Sequence, residues 1–309
     1  MTRVGLTDAP CGSTARRAFA KRRMTDSSRF PRPASLPFLS YTPSFRLVYS
    51  LSTLCDMNNF RHAGYSYSGP AAAWGYKNIR PEGIARVFLL GPSHHVFLRK
   101  CALSRAAKYR TPIGDLVIDQ ATYAELHATG QFVGMDLETD ENEHSLEMHL
   151  PYIVKSFESS PGGVPPLVPI MVGALTPAAE AAYGALLAKY LDDPANLFVI
   201  SSDFCHWGKR FNYTPWDTSK GLPLHKAIEE LDRMGMKIIE AKDPDAFTEY
   251  LRAYENTICG RHPISVFLQM LQSSESADRM TIAFTRYEQS SACKGYQDSS
   301  VSYASAVVF

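Results

Sequence analysis

The residues of this 309-residue chain that could do chemistry gather in four short clusters. Gly91-Pro92-Ser93-His94-His95 and Ser201-Ser202-Asp203-Phe204-Cys205-His206-Trp207 each follow an apolar run directly. His62-Ala63-Gly64-Tyr65-Ser66-Tyr67 and Ile258-Cys259-Gly260-Arg261-His262-Pro263 are not tied to such a run. Imidazole, carboxylate and thiolate are metal ligands, proton carriers or nucleophiles.

A fifth stretch holds Glu143, His144, Glu147 and His149. Glu143 and Glu147 share a helical face, but the two histidines do not. The His-x-x-x-His spacing of a helical metal site is therefore absent, and a supporting or packing role is expected. Asp203 and His206 face together if their segment turns helically. His95 points away from His94 in an extended segment. Cys101 and Cys205 read as small buried hydrophobes, and Tyr65, Tyr67, Trp207 and Tyr303 as packing residues.

The elements that position these groups follow from the apolar pattern. Residues 85–90 form a short apolar run closed by Gly91-Pro92, as in a buried strand, and 167–172 and 197–200 read the same way. Between the last two, Ala179, Ala182, Tyr183, Leu186, Leu187 and Tyr190 share one face of a helix over residues 176–191. Thr176 fits its N-cap, Pro177 its first position and Glu180 its first turn. Such a β-α-β unit requires parallel strands. Residues 224–242, 245–254 and 263–272 read as further helices, and 280–287 and 301–309 as late strands. The alternation predicts an α/β fold: a central, mostly parallel or mixed sheet with helices on both faces. Sites in such sheets collect beyond the carboxyl ends of the strands, where His94, Asp203 and His206 fall.

Composition narrows the partners. Hydrophobic residues make up 45% and charged residues 20% of the chain, as in globular domains. No apolar run approaches the ~18 residues of a membrane span, so no membrane insertion is expected. The net charge of +1 divides into +7 over residues 1–50 and −6 over the remainder. A mildly acidic body does not suit a phosphate backbone, and nucleic acid is set aside as a partner. Six scattered cysteines without a Cys-x-x-Cys pair point to a reducing compartment, and a cytoplasmic location is expected. Residues 1–55 are basic and rich in Ser and Pro, which suits a disordered N-terminal segment. The same composition suits a transit peptide for an organelle, or a stretch that is not the authentic start. Residues 56–309 are expected to form a single α/β domain.

Taken in order, segments 62–65 (HAGY), 91–95 (GPSHH), 143–152 (EHSLEMHLPY), 201–208 (SSDFCHWG), 256–264 (NTICGRHPI) and 297–304 (QDSSVSYA) resemble the Memo family. That family is named for mediating cell motility driven by an ErbB-type receptor. The resemblance implies a fold like that of class III extradiol ring-cleaving dioxygenases. In those enzymes two histidines and a carboxylate hold a non-haem iron, whereas Memo-like proteins place a cysteine where the carboxylate stands. Carried onto this chain, the implied metal ligands are His62, His94 and Cys259, with Asp203 and His206 lining the same cleft, where Arg261 is expected as well. The family further implies copper or iron and redox chemistry. As an alternative it implies an adaptor that docks a phosphotyrosine peptide of a receptor tyrosine kinase in the same cleft.

Two imidazoles and a thiolate form a soft, redox-suited set that favours copper over magnesium or calcium. Without a carboxylate ligand the facial triad for oxygen activation is incomplete, so ring cleavage is not expected. A helix starting near Pro263, together with Arg261 and His262, places positive charge beside Cys259. Arg261, an imidazolium and that helix start would also meet a phosphotyrosine anion.

Overall fold

A computed structural model describes residues 47–50 and 64–309. The described residues belong to one compact unit, Pro43–Phe309. Strand β1 (Leu47–Ser50) precedes helix α1 (Tyr65–Tyr76) and strand β2 (Arg86–Pro92). Then come β3 (Ala102–Leu103), the hairpin β4 (Lys108–Thr111) and β5 (Gly114–Val117), α2 (Gln120–Ala128) and β6 (Val133–Gly134). Short helices α3 (Leu137–Asn142), α4 (His144–Glu147) and α5 (Leu150–Phe157) lead into β7 (Leu167–Val172), α6 (Pro177–Asp192) and β8 (Asn196–Ser201). The last part holds β9 (His206–Trp207), α7 (Leu224–Glu240), α8 (Pro244–Tyr254), α9 (Arg261–Ser273), β10 (Ile282–Gln289) and β11 (Ser300–Val308).

The main sheet runs in the order β10-β11-β1-β8-β2-β7-β3-β6, with β9 added to β11. Strands β1, β8, β2 and β7 are parallel neighbours, and antiparallel pairings flank them at β11 and β3. The fold is therefore the expected mixed α/β arrangement. Residues in β2, β7 and β8 are buried on both faces, which explains why those strands read as unbroken apolar runs. Their side chains alternate between two cores. Phe88, Leu90, Ile170, Phe198 and Ile200 pack with residues of α6, α8 and α9. Val87, Leu89, Met171, Leu197 and Val199 pack with residues of α1 and α5.

The β7-α6-β8 unit forms as expected, and Thr176 Oγ1 caps α6 by accepting from the Ala179 N–H at 3.3 Å. Its strands are parallel but not adjacent, because β2 lies between them. The buried residues of α6 are Glu180, Tyr183, Gly184, Leu187, Ala188, Tyr190 and Leu191, whereas Ala182 faces solvent. Gly184 permits close packing on α9: a Cβ there would lie 2.4 Å from Gln269 Cβ.

Strand β1 falls within the segment 1–55 that composition set apart, and its backbone pairs in parallel with β8 and antiparallel with β11. Residues 51–63, which include His62, lie outside the described residues. Among the described residues no helix is long and apolar enough to cross a membrane.

Candidate metal centre

Strands β2 and β8 are parallel neighbours, with Leu90 opposite Ile200. Their carboxyl ends therefore open side by side, and the two polar clusters that follow them meet although they are far apart in sequence. At the end of β2, the Ser93 N–H donates to Val172 O at 3.1 Å and turns the chain out at His94. Helix α4 closes over this end. Ser145 Oγ donates to Pro92 O at 2.7 Å. Gly91 makes that approach possible, since a Cβ there would sit 2.6 Å from Ser145 Oγ.

This packing places Glu143, which is 1% exposed, directly against His94. Its carboxylate accepts from the His94 N–H at 2.7 Å and the Ser145 N–H at 2.8 Å, and it pairs with His94 Nδ1 at 2.9 Å. Burial works against charge on His94. Hydrogen bonding to the Cys259 sulfur and to Glu143 outweighs it, and the ring's pKa is pushed up to about 10. The Glu143 carboxyl is correspondingly held low: burial raises it, but the His94 partner dominates. The His144 ring stacks on His94 with centroids 4.5 Å apart, and burial and the neighbouring His94 charge both press its pKa down. His95 is exposed and meets His144 edge to face. His149 is fully buried, with Nδ1 2.8 Å from Tyr76 Oη.

Beyond β8 the chain is extended rather than helical, contrary to the turn that the Asp203–His206 spacing suggested. Phe204 N–H donates to Ser302 O and Ser302 N–H to Cys205 O, so β11 captures the segment before a helix can form. Asp203 and His206 nonetheless converge, with Nε2 and Oδ2 3.5 Å apart. Cys259 arrives from the loop before α9. Its sulfur accepts from the Asp203 N–H at 3.0 Å. Gly260 N–H donates to Ser202 Oγ at 2.9 Å, and a Cβ on Gly260 would lie 2.4 Å from Ser201 O. Thr257 Oγ1 accepts from the His206 N–H at 2.7 Å and donates to His206 O at 2.9 Å, which pins His206 to the same loop.

The fold thus brings Asp203, His206 and Cys259 together, with His94 near enough for the Cys259 sulfur to influence its ring. Asp203, His206 and Cys259 each offer a ligand atom within 4.8 Å of the others, and His94, Glu143 and His144 form a second such group. The buried carboxylate of Asp203, expected to line the cleft but not as a ligand, therefore stands beside the sulfur. Arg261, expected in the same cleft, instead lines a neighbouring cavity of about 410 Å³ with Glu180, Arg252, Thr257 and His262. None of the four converging residues lines that cavity, because α9 begins at Arg261 and carries its side chain away. His262 is occupied there by Glu180 at 2.7 Å. Cys101, Cys205, Trp207 and Tyr303 are buried in the core.

Asp232 had no expected role. Its sequence signal is an acid on the buried stripe Leu224, Ile228, Asp232 and Met236 of α7, at the four-residue spacing of one helix face.

Fold and site together define an α/β protein with clustered imidazole, carboxylate and thiol groups at the carboxyl edge of its parallel strands. A family model described as Memo-like protein matches residues 60–307, and the chain belongs to that family. Protein MEMO1 of Xenopus laevis is 53% identical over 248 residues, covering 80% of this chain and 83% of that protein. Protein MEMO1 of Homo sapiens is 52% identical with the same coverage. The memo-1 homolog of Caenorhabditis elegans is 46% identical over 250 residues, 80% of this chain and 71% of that protein. A solved structure of an uncharacterized protein from Escherichia coli K12 is similar at a TM-score of 0.47 and 14% identity, covering 84% of this chain and 99% of that one.

Proposed function

We propose that the cleft holds a redox-active transition metal, copper or iron, and that its redox chemistry serves signalling in cell motility. The observation that carries this reading is the convergence of one atom each from Asp203, His206 and Cys259 within 4.8 Å. The residues fit a cation. Among the described residues the buried His206 Nε2 makes no hydrogen bond and faces the Asp203 carboxylate at 3.5 Å, an imidazole–carboxylate pair that suits a shared cation. Sulfur with imidazole is a soft donor set that suits copper or iron. Cys259, His94, His206 and Asp203 would hold the ion, with His62 as the further imidazole that the family resemblance implies. A bound copper or iron supplies one-electron exchange. Glu143 engages His94 at Nδ1 and so leaves Nε2 available to the cation, the usual arrangement behind a metal-ligating histidine.

The test is metal analysis of the purified chain, followed by melting with Cu(I), Fe(II) and Zn(II). At a hundredfold excess over the dissociation constant, linkage gives about 2.7 kcal/mol. That raises the melting temperature by on the order of 5 °C for a domain of this size. An unchanged melting temperature with all three ions overturns the reading.

A second reading, docking of a receptor phosphotyrosine peptide, draws on Arg261 and His262 at the start of α9. It predicts that Arg261→Ala abolishes capture of such a peptide while Cys259→Ser leaves it intact. Oxygen uptake with a catechol would instead mark ring cleavage.

A further inference from the structure

We infer that Asp232 is the positioning residue of the cleft, because its carboxylate ties together the two loops that deliver Asp203 and His206 on one side and Cys259 on the other. The inference rests on the reading that this cleft is the functional site. Asp232 is 0% exposed and projects from α7. Its Oδ1 accepts from the Cys205 N–H at 3.2 Å, and Cys205 stands between Asp203 and His206. The same oxygen accepts from Asn256 Nδ2 at 3.0 Å, three residues ahead of Cys259. Its Oδ2 accepts from Tyr287 Oη on β10 at 2.9 Å. One carboxylate therefore joins the loop after β8, the loop before α9, and the sheet.

The tie is tensioned from both sides. Asn256 Nδ2 also donates to Tyr250 Oη at 2.7 Å, and Tyr287 Oη accepts from Gln289 Nε2 at 2.8 Å. Burial opposes the ionised form and drives the Asp232 carboxyl up to about 6, with the donors pulling the other way. A leucine at this position would continue the apolar stripe of α7 and satisfy the core. An acid there is explained by what it holds. The separation of Cys259 from Asp203 and His206 follows from two loops that otherwise touch through Thr257, Ser202 and the Asp203 N–H. Groups outside the ligand set that orient it commonly change metal affinity about 10–100-fold.

Asp232→Asn keeps an acceptor toward Cys205 and Asn256 but loses the charge, whereas Asp232→Ala loses the tie. The expected result is graded. Co(II) affinity falls about 10–100-fold in Asp232→Ala and less in Asp232→Asn, with shifted sulfur-to-cobalt charge-transfer bands in both. A second measurement needs no metal: the rate of iodoacetamide alkylation at Cys259, resolved by peptide mass spectrometry. That rate is expected to rise severalfold as the loops loosen, while buried Cys101 stays unreactive and reports an intact core. If Asp232→Ala exposes Cys101, Asp232→Asn and Asn256→Ala decide by the same two readings. An unchanged Cys259 rate in variants with protected Cys101 overturns the inference. Failure of the unmodified chain to bind Co(II) counts against the metal reading alone, and the alkylation result then decides for Asp232.

Discussion

The main-chain N–H of Asp203 points at the sulfur of Cys259 across 3.0 Å, joining residues 56 apart in sequence. The Asp203 carboxylate and the His206 ring lie close by, so the sulfur is one of three clustered ligand atoms. Cys259→Ser retains an acceptor for that N–H but replaces a soft sulfur with a hard oxygen. Its expected signature is a melting temperature within about 2 °C of the unmodified chain, as for a local change worth under ~0.5 kcal/mol. The metal-dependent rise is lost. Thermal melts with and without Cu(I) check both parts.

Glu143 accepts from three donors: the His94 main chain, the His94 ring and the Ser145 main chain. In Glu143→Gln the amide NH2 meets a donor in either orientation. Leaving such buried groups unsatisfied costs about 1–3 kcal/mol, and a metal-ligating histidine loses its support, worth about 10–100-fold in affinity. Urea unfolding and a Co(II) titration are expected to show both losses, and a variant matching the unmodified chain in the two assays contradicts this role.

Gly260 is fixed by crowding, not by an unusual backbone angle. A Cβ at this position would lie 2.3 Å from Ser202 Cβ and 2.4 Å from Ser201 O. Both belong to the rigid end of β8 or the residue after it, so the loop must move. Gly260→Ala is expected to destabilise the fold by about 1–3 kcal/mol, as overpacking does. Cys259 should also be carried away from Asp203, which a lowered urea midpoint together with weakened Co(II) binding would reveal.

His149 supplies a pH dependence. Burial lowers its pKa from 6.5 to about 3, so the folded chain keeps it neutral while the unfolded chain protonates it below 6.5. Its contribution is fully present above pH 6.5 and is lost as pH falls toward 3. The slope it adds is at most about 1.4 kcal/mol per pH unit. His149→Asn can still meet the Tyr76 hydroxyl and does not titrate. Urea unfolding measured between pH 6 and pH 4, a window inside the span from 6.5 to about 3, should show a shallower loss of stability in the variant.

Much of the fold was legible in the chain because β2, β7 and β8 are buried on both faces. A doubly buried strand must be an unbroken apolar run, and a run ended by Gly91-Pro92 or by Ser201-Ser202 marks where a site opens. Helix α6 was legible from Thr176 and Pro177, since capping is local chemistry. Its inward face was not fully legible: Glu180 is buried against His262 of α9, a partner 82 residues away. Strand β1 was hidden in a basic, polar context because its place in the sheet comes from backbone pairing with β8 and β11.

By itself the sequence determined the residue types of the cleft, the strand ends that carry them and the family to which the chain belongs. Tertiary structure alone decided which of those residues meet. His94, Asp203, His206 and Cys259 converge because β2 and β8 are neighbours and the α9 loop seats on Ser202. Arg261, only two residues beyond Cys259, is turned into another cavity by the start of α9. Sequence spacing governs geometry within an element. Between elements, geometry is set by which strands pair and how closely backbones approach, and those depend on the packing of the whole chain.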